Sequence, residues 1–94
     1  MMNEPVVHNS QKHRFETVLD GHIAVLNYKQ EGNCITFIHT EVPDELAGRG
    51  VGSALARAGL EYARERALQV IPRCAFVGSY IKRHPEFANL LASG

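Results

Sequence analysis

Ala47-Gly48-Arg49-Gly50-Val51-Gly52-Ser53 decides how this chain is read, because three alternating glycines stand directly before a segment of helical period. Val51, Leu55, Ala58 and Tyr62 recur on one face, with Ser53, Arg57, Glu61 and Arg64 opposite, which predicts a helix from about Gly50 to Ala67. Ala54, Ala56, Gly59 and Ala63 keep its flanks slim, so its backbone can lie close to a sheet. The first N–H groups of a helix lack partners and carry partial positive charge, so a bare glycine turn there can seat a phosphate. Arg49 adds a full positive charge and Ser53 a hydroxyl. A Walker A loop needs Lys-Ser or Lys-Thr after its last glycine, and a dinucleotide fingerprint needs two residues between its second and third glycines; neither pattern is met. A turn that merely packs tightly uses the same glycines.

Upstream, residues 6–41 carry β-branched and aromatic residues in short runs broken at Asn9-Ser10, Asp20-Gly21 and Glu31-Gly32-Asn33. Phe15, Thr17 and Leu19 alternate with Arg14, Glu16 and Val18, and Asp20-Gly21 suits a tight hairpin. Ile23 to Tyr28 and Ile35 to Val42 follow as strands, giving an antiparallel meander of three or four. Downstream, Leu68 to Arg73 reads as a fifth strand that follows a helix and therefore runs parallel to the strand before it, a βαβ crossover. Ala75 to Arg83 predicts a second helix, ended before Pro85, which starts a last short helix through Leu91. The fold class is α+β: a mostly antiparallel sheet with one βαβ crossover and flanking helices.

Ninety-four residues close one core, so residues 1–94 are expected to be one domain. Ten basic and ten acidic side chains cancel, which argues against a nucleic-acid or anionic-membrane partner and makes any anion site local. Apolar runs are only a few residues long and no signal peptide is legible, so a cytoplasmic location is expected. Cys34 and Cys74 are too few for a disulfide framework, and with His39 and His84 they show no metal-ligand spacing, so no metal is expected.

Gly48-Arg49-Gly50-Val51-Gly52 resembles the core of the acetyl-CoA signature of GNAT acyltransferases, Q/R-x-x-G-x-G/A. With His39-Thr40-Glu41-Val42-Pro43, Ile71-Pro72, Cys74 and Tyr80-Ile81-Lys82-Arg83-His84-Pro85-Glu86-Phe87, it is similar to the small, single-domain GNAT-like proteins. The resemblance implies a minimal GNAT fold and acetyl-CoA as co-substrate, held by Val42, Gly48, Arg49, Gly50, Val51, Gly52 and Ser53. The signature's first position is Ala47 here, which leaves Arg49 as the local cation. It further implies that the strand before the turn opens at a bulge and pairs with the pantetheine arm, Glu41 and Val42 lying beside it.

Amine acetylation needs a base for the acceptor, a donor to the thioester oxygen and an acid for the departing thiolate. Glu41 or His39 suits the base and the N–H of residue 42 the donor, and the resemblance implies Tyr80, about one position from where relatives carry a tyrosine, as the acid. Cys74 is either a nucleophile that takes up the acetyl group or a small buried hydrophobe. Cys34 reads as structural, and Arg83 and His84 as cations at a helix C-terminus.

Two functions remain open on the sequence. One is an acetyl-CoA-dependent N-acetyltransferase acting on a small-molecule or protein amine. The other is an acyl-CoA-binding or interaction module with little or no turnover. The resemblance implies that longer GNAT enzymes build their acceptor pocket from extra helices and strands, and neither is expected here. An open groove suits a macromolecular acceptor or a site completed by a second subunit in a homodimer.

Overall fold

Asp20 and Gly21 both take positive φ, 52° and 76°, and join strands whose last and first residues, Leu19 and His22, face each other. That is the geometry of a two-residue primed hairpin turn, whose twist matches its strands. In the computed structural model, which describes residues 5–92, this hairpin is the centre of an antiparallel run. The strands are β1 (Val7–Asn9), β2 (Arg14–Leu19), β3 (His22–Glu31) and β4 (Cys34–Glu41). Helix α1 (Val51–Glu65) carries the chain over to β5 (Gln69–Pro72), which lies parallel to β4, so the sheet order is β1-β2-β3-β4-β5. Helix α2 (Ala75–Arg83) follows, then 3-10 turns over Pro85–Leu90. The mixed sheet and its βαβ crossover are those expected from the sequence.

Boundaries differ from expectation where capping intervenes. Helix α1 ends at Glu65, short of Ala67, because Ala67 turns left-handed (φ 56°) and Leu68 N–H reaches back 2.8 Å to the Ala63 carbonyl. This closes a Schellman motif. An unforeseen 3-10 turn, Asp44–Leu46, buries Leu46 and leads β4 into the glycine turn. The last helix through Leu91 is a 3-10 helix instead, after which Ala92 N–H bonds the Val70 carbonyl at 2.9 Å on the far edge of β5.

The largest correction concerns the face of α1. The buried residues are Val51, Gly52, Leu55, Ala56, Gly59, Leu60 and Ala63, while Ala58 and Tyr62 are only half-buried. The core stripe is thus rotated by roughly a quarter turn from the one drawn through the large side chains. The small residues are the contact itself, not its flanks. A Cβ on Gly59 would stand 2.7 Å from Phe37 Cε1 and 3.3 Å from Leu26 Cδ2. Phe37 and Leu26 of the sheet therefore meet the helix backbone directly, and Ile35, Leu55, Leu60, Val70, Val77 and Phe87 complete the core.

At the other end, β1 is fastened through His8. Its ring stacks on Phe15 at 4.4 Å, meets the edge of Tyr62 at 4.6 Å, and its Nε2 lies 2.5 Å from the Tyr28 hydroxyl. Burial first, and the charge of Arg66 second, hold the His8 pKa below its ordinary value.

Two outcomes follow from this packing. Gly59→Ala, usually stabilising inside a helix, is expected here to destabilise by about 1–3 kcal/mol through overpacking against Phe37, read as a lower midpoint in denaturant unfolding. His8 is neutral in the folded chain at pH values where the unfolded chain already takes up a proton. Its contribution to stability is therefore complete above about pH 6.5 and is lost as pH falls through the lowered folded value. Unfolding midpoints measured down to about pH 5 should decline, and His8→Gln should decline less.

Candidate functional site

The hydrogen-bond ladder between β4 and β5 is short. Cys34 to Phe37 pair with Gln69 to Pro72, and one further bond, Cys74 N–H to the Phe37 carbonyl at 2.9 Å, ends it. Beyond it the chains part. On the β4 side the register with β3 slips, since Tyr28 faces Phe37 while Asn27 faces His39, so Ile38 is the extra residue of a bulge. On the β5 side Cys74 is the N-cap of α2 and the chain turns into that helix. Between them lies an open cleft of about 570 Å³ walled by His39, Thr40, Val42, Arg73, Cys74 and Phe76.

The bulge decides which side chains face it. Thr40 points inward opposite Leu26, and its hydroxyl lies 3.0 Å from Cys74 Sγ. Cys74 is 8% exposed, so the thiol sits in the floor of the cleft. His39 and Glu41 stand on the outer side, 63% and 69% exposed, with His39 Nε2 3.8 Å from the Glu41 carboxylate. His39 reaches the cleft wall; Glu41 does not line it.

A second cavity, about 340 Å³, opens at the start of α1, lined by Val42, Gly48, Gly50, Val51, Gly52 and Ser53 among others. Gly50 is the N-cap, held at φ 77°, with no capping side chain and no acidic residue in the first turn. The first helical bond runs from Ala54 N–H to the Gly50 carbonyl at 3.0 Å. The N–H groups of Val51, Gly52 and Ser53 therefore have no intrahelical acceptor and point at the cavity's mouth, where an anion is favoured by the helix dipole. Arg49 is engaged elsewhere: its guanidinium lies 2.5 Å from the Asp20 carboxylate in the β2–β3 turn. Arg83, from the end of α2, also lines the cavity and has no carboxylate partner among the described residues.

Tyr80 falls outside both. It is buried, stacks on His84 at 4.1 Å, and lines a neighbouring depression with Arg49, Ser53 and Arg57. Cys74, His39 and Val42 are thus brought together, the glycine turn adjoins them through Val42, and Tyr80 and Glu41 stand apart. Among the described residues no three His, Cys, Asp or Glu side chains gather as a metal site. Nor is any described helix long and apolar enough to cross a membrane. Thr40 and Phe76 are among the wall residues that escape the sequence reading. Thr40 is hidden because strict alternation from Phe37 would place it outward, and only the bulge turns it in. Phe76 carries a signal, standing four residues before Tyr80 on the α2 face that begins just after Cys74.

A family model described as GCN5-related N-acetyl-transferase matches residues 14–90. Protein NATD1 of Mus musculus is 37% identical over 83 residues, covering 85% of this chain and 76% of its own length. Protein NATD1 of Homo sapiens is 36% identical over 83 residues, covering 85% and 74%. The fold is similar to that of a GCN5-like putative N-acetyltransferase of Staphylococcus aureus solved by NMR in solution, with a TM-score of 0.75 and 29% identity over 100% of this chain and 93% of that one.

Gly50→Val tests the turn. A β-branched residue at positive φ is strained by about 1–2 kcal/mol, and its branch would enter space that is open at this position. The denaturant midpoint should fall accordingly, while the amide spectrum away from residues 48–53 stays that of the wild type.

Proposed function

Because the chain belongs to the GCN5-related N-acetyltransferase family, we propose that it binds acetyl-CoA across the two cavities and transfers the acetyl group to an amine. The observation that carries the reading is their adjacency: a helix N-terminus stripped of capping groups opens beside a parted strand pair with a thiol in its floor. In this reading the pyrophosphate lies on the N–H groups of Val51 to Ser53, with Gly48 and Gly50 giving it access and Arg83 adding charge. Arg49 joins only by leaving Asp20. The pantetheine arm pairs with the free edge of β4 beyond Phe37, near Val42, as an added strand would.

The acetyl end then reaches Thr40 and Cys74. As its proton leaves to water or to His39, the Cys74 sulfur attacks the thioester carbonyl. The Thr40 hydroxyl lies 3.0 Å from that sulfur. The tetrahedral oxyanion, held by the N–H of Val42, collapses, breaking the carbon–sulfur bond to CoA, whose thiolate takes up a proton. The acceptor amine attacks the acetyl-cysteine, and as the new C–N bond forms the carbon–sulfur bond to Cys74 breaks and the amine's proton goes to the released sulfur. Glu41 is reserved for the amine: at the outer rim, it suits holding the acceptor's proton more than reaching the thioester.

A second reading, an acyl-CoA-binding module with little turnover, draws on the position of Tyr80. That side chain lines the depression beside Arg57 and His84, away from Cys74, which leaves the departing thiolate to water.

Incubation with acetyl-CoA is expected to add one acetyl mass, located by peptide mass spectrometry on Cys74, and Cys74→Ser should lose the adduct while still binding CoA. Release of CoA thiol should rise when amines are supplied. Turnover by Cys74→Ala at the wild-type rate would move the chemistry to direct transfer, and binding with no release under any amine would favour the module.

A further inference from the structure

The glycines of the turn divide into two kinds. Gly48 and Gly50 have φ of 77° and nothing within 4 Å of where a Cβ would stand, so they are glycine for conformation. Gly52 has no such φ; it is ordinary helix, where alanine would be preferred. Yet a Cβ on it would lie 2.8 Å from Cζ of Phe76 and 3.2 and 3.3 Å from Cε1 and Cε2. Gly52 is glycine for size, and what it makes room for is a phenyl ring from the first turn of α2.

That ring stands at a junction. Phe76 and Val42 are the two residues that line both the glycine-turn cavity and the Cys74 cleft, one on the α2 bank and one just past β4. Phe76 is 37% exposed, leaving part of its apolar face open to water at this passage. A ligand that spans the two cavities has to cross it. We propose that Phe76 positions the pantetheine arm between the pyrophosphate seat and Cys74, and that Gly52 serves to seat its ring. The arm's chemistry suits this bank: short methylene runs pack on the ring while the amides between them pair with the β4 edge opposite. This rests on the acetyl-CoA reading above.

The experiment compares two ligands. CoA carries the arm; adenosine 5′-diphosphate carries a nucleoside pyrophosphate without it. Phe76→Ala is expected to weaken CoA roughly ten-fold while leaving adenosine 5′-diphosphate unchanged, since only the former covers the ring. Gly52→Ala, which displaces the ring, should likewise weaken CoA. In the wild-type complex, nuclear Overhauser contacts should join the Phe76 ring protons to the pantetheine methylenes. Equal losses for both ligands, no loss for either, or the absence of those contacts would overturn the proposal while leaving CoA binding intact. A wild-type protein that binds neither ligand would instead remove the acetyl-CoA reading, and this inference with it.

Discussion

The hydrogen bond from Cys74 N–H to the Phe37 carbonyl is the last that β4 and β5 share, and the site exists because it is the last. A sheet gains by continuing its ladder, since every buried N–H and C=O needs a partner. Here continuation is prevented twice. Ile38 is the extra residue of a bulge, which bends β4, and Cys74 adopts the extended N-cap conformation that starts α2. Beyond Ile38 the β4 backbone is paired on its β3 side and open on the other, an edge of the kind that accepts an added strand. The same bulge turns Thr40 toward the opening, within 3.0 Å of the thiol at the fork. One local irregularity thus creates the cleft, frees a strand edge and aims the two side chains at its floor.

The second requirement is that α1 start at the mouth of this cleft, and its small residues secure that. The helix lies on the sheet with its backbone against Phe37 and Leu26, an approach that a side chain at Gly59 would prevent. Its axis and depth are then fixed by rigid contacts in the core rather than by the polar turn at its beginning. The unpaired N–H groups of Val51 to Ser53 are held by packing some two turns away, so the turn itself is free to be bare glycine and open to a ligand.

What is legible in the sequence follows from which signals are local. Turn chemistry places the hairpin at Asp20-Gly21, periodicity locates α1 and α2, and a strand following a helix implies the parallel β5. The features that escape depend on partners distant in the chain. The buried face of α1 is misjudged when large side chains are counted as the contact, whereas the sheet presents a phenyl ring that only glycine and alanine can meet. Thr40 is concealed because the resemblance implies a bulge in this strand but no residue type places it at Ile38. The engagement of Arg49 joins residues 29 apart, and nothing near either one predicts it. Tyr80 lies on the correct helix, but its ring stacks on His84 four residues later, which draws it toward the cationic depression and away from the thiol.

Two glycines inside one 15-residue helix carry an energetic consequence. Gly59 is less favourable in a helix interior than alanine by about 0.8–1 kcal/mol, and Gly52, in the first turn, adds a smaller loss. For a domain of this size, whose total stability is on the order of 5–15 kcal/mol, that is a large share. Both losses are offset only through contacts that require the missing Cβ. Gly59 admits Phe37 and closes the core. Gly52 admits Phe76, whose ring remains partly exposed and therefore recovers less by burial. The asymmetry separates the two positions: Gly59 lies against the closed core, whereas Gly52 lies against a ring that stays partly exposed at the passage between the two cavities.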